Sequence, residues 1–327
     1  MDRRRLGQGG PSVASLALGT MNFCGTYGPT DPETALGTLA EAVEMGVDHL
    51  DCADVYGGGR AEELLARFLR GRRDRLVIAS KAGITRQAER PFDNSPDYLR
   101  RALEGSLRRL GVDHIDLYYI HRREASRPIE DVMQTLMRFR EAGKIGAIGL
   151  SEVAPATLER ALTVGPVAAV QSEYSLWTRL PELGLVQATA RHGVALVAFS
   201  PLGRGALTGQ LPDPGHFSAG DLRANMPRFD ARNWPRNRAI LTAFQDLAAQ
   251  MGHDPASLAI AWVLARAPHV IALPGSRSAA HVAQAVAGAD LRLSDADLAR
   301  IDAVLPPGFA HGPRYAPALV QGPESYC

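Results

Sequence analysis

The chain has 327 residues, of which 46% are hydrophobic and 22% charged, and its formal net charge is +1 at pH 7. These proportions are typical of a globular protein, and the near-neutral charge argues against a general nucleic-acid binder, which would carry a basic face or stripe. No apolar run approaches the roughly 18 residues of a membrane-spanning helix, and no secretory apolar segment follows the basic N-terminus. We therefore expect neither a nucleic-acid nor a membrane partner.

The cysteines and histidines show none of the paired spacings that mark a disulfide framework or a metal site. Cys24, Cys52 and Cys327 stand far apart and form no CxxC pair. This usage favours a reducing compartment, so we expect a cytoplasmic protein. The histidines are scattered, and no metal is predicted.

The elements begin with a short hairpin or lid over Arg3 to Val13, followed by a first strand over Ala14 to Leu18. Asp31 caps a first helix that starts at Pro32 and continues to Met45. Further strands are predicted near Val47–Leu50, Leu76–Ser80, Ile115–Ile120, Ile145–Leu150, Ala168–Gln171, Val194–Phe199 and His269–Leu273. Further helices are predicted near Ala61–Arg70, Pro96–Leu110, Ile129–Ala142, Ala156–Val164, Leu180–His192, Arg238–Met251, Asp254–Arg266, Ser278–Ala287 and Ser294–Val304.

This alternation makes about eight strand–helix repeats, which is the number in a closed parallel barrel. The strands are apolar without alternation, as strands buried on both faces should be. The sequence therefore predicts an α/β fold, a (β/α)8 TIM barrel, with residues 1–327 as a single domain.

One long irregular segment, Gly203 to Asn237, follows the seventh barrel strand and is rich in Gly, Pro, Asp and Arg. A loop this long inside a compact domain is usually functional or disordered. Because it lies on the face where barrel enzymes bind substrate, a flap over the site is the favoured interpretation and a floppy insertion is the alternative. The Pro/Gly-rich tail from Pro306 to Cys327 could add to the same pocket.

Polar side chains follow three consecutive strands. Asp51 ends the first of them and Tyr56 follows before three glycines, while Lys81 and His121 end the next two. Lys81 is one of only two lysines among 36 Lys and Arg residues. A lysine kept at this place suggests chemistry that arginine cannot do, because an ammonium is a compact charge whose pKa shifts readily on burial. Taken singly, each residue also has an ordinary structural role.

In this order and at these junctions, the four residues resemble the catalytic tetrad of the aldo-keto reductase superfamily. The surrounding segments match as well: Leu18–Met21, Ala79–Gly83, Ile148–Ser151, Ser200–Gly205 and Leu273–Arg277. The likeness runs from roughly Arg5 to Leu305, and Gln171–Trp177 is similar to the bacterial branch with pyridoxal reductase-like and general aldehyde reductases. Some members of this family are channel-associated subunits, so a non-catalytic, cofactor-binding regulatory protein is an alternative. A metal-dependent barrel hydrolase is the third class considered.

The resemblance implies a reversible reduction of an aldehyde or ketone to an alcohol with NADPH. The nicotinamide gives the hydride, since no side chain can. Tyr56 gives the proton, and Lys81 lowers the pKa of the phenol. Asp51 holds Lys81 charged, and His121 orients the substrate oxygen.

The resemblance also implies a cofactor site. Thr20 and Met21 would line the nicotinamide end, Ser151 and Gln171 would hold the carboxamide, and Phe199 would stack on the ring. The pyrophosphate would meet Ser200, Leu202, Gly203 and Arg204, and the adenosine 2′-phosphate would meet Gly275, Ser276 and Arg277, which favours NADPH over NADH. Gln284 and Ala285 replace the Glu-Asn pair that the family commonly places at the adenine, and Glu152 stands where many members have Asn.

Other residues near the expected pocket belong neither to the four catalytic candidates nor to the expected cofactor site. Asp54 and Glu173 are expected as solvated loop charges, with substrate contact as the alternative, and Lys144 is expected to have a structural role. The substrate pocket is expected to involve loop residues such as Tyr27, Trp177, Arg228, Phe229 and Trp234. The physiological carbonyl, the reaction direction and the oligomeric state do not follow from the sequence.

Overall fold

The computed structural model describes residues 1–85, 87–218 and 220–326, so Cys327 lies outside the described residues. The strands are β1 Arg3–Arg5, β2 Ser12–Ala14, β3 Leu18–Gly19, β4 His49–Asp51, β5 Val77–Ala82, β6 Ile115–Ile120, β7 Ile145–Ser151, β8 Ala169–Glu173, β9 Ala195–Phe199 and β10 Val270–Leu273. The helices are α1 Pro32–Glu44, α2 Arg60–Leu69, α3 Pro96–Leu110, α4 Ile129–Glu141, α5 Pro155–Leu162, α6 Leu185–His192, α7 Trp234–Gln250, α8 Pro255–Ala265, α9 Ala279–Asp290, α10 Asp295–Val304 and the short α11 Pro317–Val320.

Strands β3 to β10 form one parallel sheet in which spatial order follows chain order. The sheet closes where the first barrel strand meets the last. The Ala17 amide donates to the Ala272 carbonyl at 2.8 Å, and the Gly19 amide donates to the Pro274 carbonyl at 2.9 Å. The predicted (β/α)8 barrel is therefore confirmed.

The N-terminal hairpin pairs β1 with β2 and covers the bottom of the barrel. Leu6 and Val13, from the two sides of the hairpin, are buried against barrel-interior residues such as Leu117 and Val197. The apolar surface at this end of the barrel is thus removed from water, and the open end is the one at which the strands finish.

Three predicted boundaries were wrong for local reasons. Ala14–Leu18 is not one strand, because Ala14 pairs with Arg3 in the hairpin whereas Leu16 bridges to Ala272 in the barrel. The helix predicted over Leu180–His192 is divided at Gly184, whose φ is 136°. Helix α7 begins at Trp234 rather than Arg238, with a proline in its first turn where an amide donor is not needed.

The helices cover the outside of the barrel, and α8 is the most deeply packed of them. Almost every residue from Ala256 to Leu264 is buried, which is typical of a helix enclosed on all sides. Helix α9 lies against it at Gly288, where a Cβ would come within 2.4 Å of the Ser257 carbonyl oxygen. Among the described residues, no helix has the length and apolar character needed to cross a membrane.

Two helical glycines provide a matched test of this packing. Gly288→Ala should lower the free energy of unfolding by about 1–3 kcal/mol, because the added methyl overpacks the α8–α9 contact. Gly37→Ala in α1 meets nothing within 4 Å and should instead stabilise by up to about 1 kcal/mol. Urea unfolding of both variants measures the difference, and equal effects at the two positions would contradict the close α8–α9 approach.

Candidate active site

The four residues predicted for catalysis lie together at the ends of β4, β5 and β6. The Lys81 ammonium is fully buried, forms an ion pair with Asp51 and donates to the Cys52 carbonyl at 2.7 Å. The Tyr56 hydroxyl lies 3.5 Å from Lys81 Nζ. The Tyr56 and His121 rings meet edge to face, with their centroids 5.6 Å apart.

The barrel register produces this arrangement. The Cys52 amide donates to Ala79, the Asp54 amide to Lys81 and the His121 amide to Ala82, so the three strand ends remain in step past the sheet. Three glycines with positive φ then turn the chain directly after Tyr56, at Gly57, Gly58 and Gly59. At Gly57 a Cβ would lie 2.7 Å from the Cys24 sulfur, so the turn requires both the conformation and the size of glycine.

Burial governs the protonation of the group. It disfavours the Lys81 ammonium, but the charge and hydrogen bond of Asp51, together with smaller effects of Tyr56 and Cys52, outweigh it and raise the pKa of Lys81. Burial also raises the pKa of Tyr56. Lys81 lowers this pKa, as expected, but by less than burial raises it, so the pKa of the phenol lies above its ordinary value. Burial, Arg122 and Lys81 hold the pKa of His121 well below its ordinary value. At neutral pH the site therefore presents a charged lysine, a neutral phenol and a neutral imidazole.

A large cavity of about 1750 Å³ extends from this group across the top of the barrel. Asp51, Tyr56 and His121 line it, whereas Lys81 lies behind Tyr56. Ten of the residues expected at the cofactor also line it: Met21, Gln171, Phe199, Ser200, Leu202, Arg204, Gly275, Ser276, Arg277 and Gln284. The volume exceeds the ~300–1,000 Å³ of an ordinary small-molecule pocket.

Three expected cofactor residues do not reach the cavity surface. Thr20 is buried and its hydroxyl donates to the Asp51 carbonyl at 3.0 Å. Ser151 is buried and accepts from Arg122 at 3.2 Å, and Gly203 packs against Trp177. Gln171 does line the cavity, but its amide donates to Asp51 at 2.8 Å, so this group supports the ion pair.

Arg204 and Glu173 form a buried pair that the sequence did not predict. The Arg204 side chain is 7% exposed and the Glu173 side chain 4%, with a 2.6 Å contact between them. The expectation of a solvated Glu173 is therefore wrong, because the chain after β9 folds back over the end of β8. Arg204 also donates to the Tyr27 and Tyr315 hydroxyls, at 3.2 Å each, so its charge is already compensated rather than held free for a pyrophosphate.

The far end of the cavity lies at the start of α9. Arg277 donates to the Pro29 carbonyl at 3.1 Å, and no carboxylate of the described residues lies within 4 Å of its guanidinium. Gln284 donates to Asp254 at 3.1 Å. His281 lines the cavity here and was missed, although its place in the first turn of a helix that follows Gly275–Arg277 could have indicated it.

The segment after β9 forms one side of the cavity, as the flap interpretation requires. The Leu222 amide donates to the Thr26 carbonyl at 3.1 Å, and the Arg223 guanidinium lies 5.1 Å from the Tyr27 ring centroid. The tail adds Tyr315, Leu319 and Gly322 to the lining. Of the expected pocket residues, Tyr27 lines the cavity.

The remaining expected pocket residues are placed differently. Trp177, Phe229 and Trp234 pack on one another with centroid distances from 5.3 to 6.5 Å, and Arg228 donates to the Trp177 carbonyl. They form a small core because Phe229 and Trp234 of the flap pack on Trp177 of the loop after β8. Lys144 pairs with Glu104 away from the site, in keeping with a structural role. The described residues contain no group of three His, Cys, Asp or Glu side chains able to hold a metal ion.

Asp54 is not a solvated charge either. Its Oδ1 is buried without a hydrogen-bond partner among the described residues, since the loop after β4 turns inward above α2. Burial, followed by the nearby Glu62 carboxylate, raises the pKa of Asp54 to about 7. The ionised form is therefore penalised in the folded protein.

Asp54→Asn should change how stability depends on pH. An unfolded Asp titrates near pH ~4, so between about pH 4 and 7 the folded wild type binds more protons and loses stability as pH rises. The variant lacks this loss of stability. Its free energy of unfolding should therefore rise relative to that of the wild type by at most about 1.4 kcal/mol per pH unit over that range. Urea unfolding at several pH values measures the gap, and a gap that stays constant would contradict the raised pKa.

The chain is similar to known proteins over most of its length. Residues 15–306 match the Aldo/keto reductase family. Aldo-keto reductase yakc [NADP(+)] of Schizosaccharomyces pombe is 36% identical over 317 residues, which are 94% of this chain and 93% of the relative. Probable aldo-keto reductase 1 of Glycine max is 36% identical over 315 residues, which are 95% of this chain and 91% of the relative.

Solved structures agree in fold over nearly the same range. The glycerol dehydrogenase AKR11B4 from Gluconobacter oxydans has a TM-score of 0.84 and 30% identity, covering 93% of this chain and 95% of its own. An aldo/keto reductase from Klebsiella pneumoniae, in complex with NADP and acetate, has a TM-score of 0.72 and 26% identity, covering 97% and 99%. The family match over residues 15–306 and these relatives, together with the barrel fold, establish that the chain belongs to the aldo/keto reductase family.

Proposed function

We propose that this protein reduces an aldehyde or ketone to an alcohol with NADPH and catalyses the reverse oxidation with NADP+. The observation that carries the proposal is the buried Asp51–Lys81–Tyr56 series beside His121, at one end of a cavity larger than a single small substrate needs. The Schizosaccharomyces relative is named for NADP(+), and the Klebsiella structure contains NADP, which supports the choice of cofactor.

The cavity residues fit a phosphorylated dinucleotide. The N-terminus of α9 and the Arg277 guanidinium, which has no carboxylate partner within the described ranges, suit a 2′-phosphate at one end. Phe199 offers an aromatic face at the other end, and Ser200 lines the wall between them with a φ of 51°. NADPH, when bound, supplies the hydride to the carbonyl carbon.

Tyr56 is proposed as the acid that protonates the carbonyl oxygen. Its raised pKa keeps the phenol protonated until the oxygen gains negative charge. Lys81, 3.5 Å away and shielded from water, then stabilises the phenolate that remains. Neutral His121 donates a second hydrogen bond to the same oxygen and orients it.

Asp51 acts through Lys81 and does not itself need to meet the substrate. It accepts from both Lys81 and Gln171, which keeps the ammonium charged and aimed at the phenol.

We also propose that the enzyme is a single domain and that it is cytoplasmic. Cys24 and Cys52 are free thiols, and free thiols suit a reducing compartment.

Tyr56→Phe should lower kcat for carbonyl reduction by about 10²–10⁴-fold, since it removes the proton donor but keeps the ring. Tyr174→Phe is the matched control, because its hydroxyl donates to Glu182 at 2.8 Å outside the cavity lining. NADPH oxidation followed at 340 nm with a panel of aldehydes measures both. Wild-type turnover in Tyr56→Phe would remove the phenol from the mechanism.

The two lysines of the chain give a second comparison. Lys81→Met should abolish reduction and also destabilise the fold by about 3–5 kcal/mol, because Asp51 is left buried and unpaired. Adding Asp51→Asn should restore most of the stability without restoring activity, which separates catalysis from folding. Lys144→Met, which breaks a partly exposed pair with Glu104, should leave the rate unchanged. Activity that returns with stability in the double variant would assign Lys81 a purely structural role.

A further inference from the structure

The cavity wall carries four arginines in the described part of the chain, and they differ in whether a carboxylate neutralises them. Arg204 pairs with Glu173 and Arg223 pairs with Asp221. No carboxylate of residues 1–85, 87–218 or 220–326 lies within 4 Å of the guanidinium groups of Arg277 and Arg122. Arg277 stands at the end proposed for the cofactor phosphate. Arg122 stands at the opposite end, directly after His121, where no cofactor phosphate is expected.

Arg122 is held in place by its stem and by one of its nitrogens. Nη1 donates to the His121 carbonyl at 2.6 Å and to the Ser151 hydroxyl at 3.2 Å. A Cβ built on Gly322 would lie 3.0 Å from Arg122 Cδ and 3.1 Å from the Phe92 ring, so the stem packs where the tail meets the loop after β5. Nε and Nη2 have no acceptor in the described residues, which leaves two nitrogens of the guanidinium, with three N–H donors, for a ligand.

The charged groups around Arg122 do not neutralise the positive charge of its guanidinium. Asp51 with Lys81, Glu173 with Arg204, and Glu152 with Arg314 are neutral pairs. Arg228 adds a further cation behind the wall, and its guanidinium is bound by backbone and hydroxyl oxygens. This end of the cavity therefore carries excess positive charge beside the groups proposed to act on the carbonyl.

The rest of this end is suited to a short hydrocarbon linker. The apolar residues Ile84, Pro91, Phe92 and Leu319 line the cavity, and Thr85 adds a hydroxyl beside Ile84. A guanidinium that has two nitrogens without an acceptor, on a fixed stem, can donate two parallel hydrogen bonds to a carboxylate or phosphate. A cation left without a partner in a partly enclosed site is costly unless a ligand supplies the opposite charge.

We propose that the carbonyl substrate is an anion whose carboxylate or phosphate binds Arg122 while its carbonyl oxygen meets Tyr56 and His121. This inference rests on the proposed function and adds a substrate class to it. Arg122 is then a specificity-determining residue. Because it also lowers the pKa of His121, a change at Arg122 has two effects, and only one of them depends on the charge of the substrate.

The test compares charged and neutral partners of the same carbonyl compound. Succinic semialdehyde is paired with its methyl ester, and glyceraldehyde 3-phosphate with glyceraldehyde, so that the two pairs distinguish a carboxylate from a phosphate ligand. Wild-type kcat/KM should be higher for the charged member of at least one pair. Arg122→Gln should lower the ratio of kcat/KM for the charged member to kcat/KM for the neutral member on the order of 10–100-fold, mainly through KM for the charged member, whereas the effect on His121 is common to both members. Arg122→Lys should lie between the two, and the KM for NADPH should not change.

Exposed Arg140 on α4 provides the control for net charge, and Arg140→Gln should leave all four substrates unaffected. Inhibition by succinate tests the same site without a variant, since it should compete with the neutral ester in the wild type. Equal losses on charged and neutral substrates, or no competition by succinate, would overturn the anion site while leaving carbonyl reduction intact. Failure of the wild type to oxidise NADPH with any of the four compounds would overturn the proposed function itself.

Discussion

The ion pair between Lys81 and Asp51 is the interaction on which the site depends. Removing two charges from water is costly, and their attraction compensates only when the remaining donors and acceptors are satisfied. The barrel provides this, because Cys52 accepts from Lys81 and Gln171 donates to Asp51. Asp51 and Lys81 come from the neighbouring strands β4 and β5, whereas Gln171 comes from β8, so the full set of partners assembles only when the barrel brings β8 opposite them. A site that excludes water in turn strengthens the effect of the ammonium on the neighbouring phenol.

The same balance of charges organises the irregular chain above the barrel. Glu173 with Arg204 and Glu152 with Arg314 join the ends of β7 and β8 to the flap and the tail, so segments without regular structure still form a defined wall. The two charges of each pair neutralise one another, so the pairs fix the shape of the wall and add no net charge to it. The arginines that lack a carboxylate partner in the described residues, Arg122 and Arg277, stand at opposite ends of the cavity. Their distribution is consistent with a cavity that receives anionic groups at both ends.

The residues predicted correctly and those predicted wrongly differ in what determines their environment. Asp51, Tyr56, Lys81 and His121 follow strands, and parallel strands of a barrel must deliver their ends to one face, so local order was sufficient to group them. Asp54 and Glu173 were expected in solvent because loop charges usually are, but the burial of a loop residue depends on what folds over it. Trp177, Phe229 and Trp234 were expected in the pocket for a similar reason, and they bury one another instead. Arg122 was not singled out, because an arginine among many is distinguished only by the absence of a partner in space.

The order of strands and helices, the barrel they form and the tetrad at its open end follow from the sequence alone, since apolar periodicity and chain order constrain them strongly. The sequence also indicated most of the segments that line the cavity. Only the tertiary structure decided which charges neutralise one another, which aromatic residues face the cavity and how burial sets the pKa values of Tyr56, His121 and Asp54. The physical reason is that desolvation and ion pairing depend on distances between residues far apart in the chain, and no local pattern contains those distances.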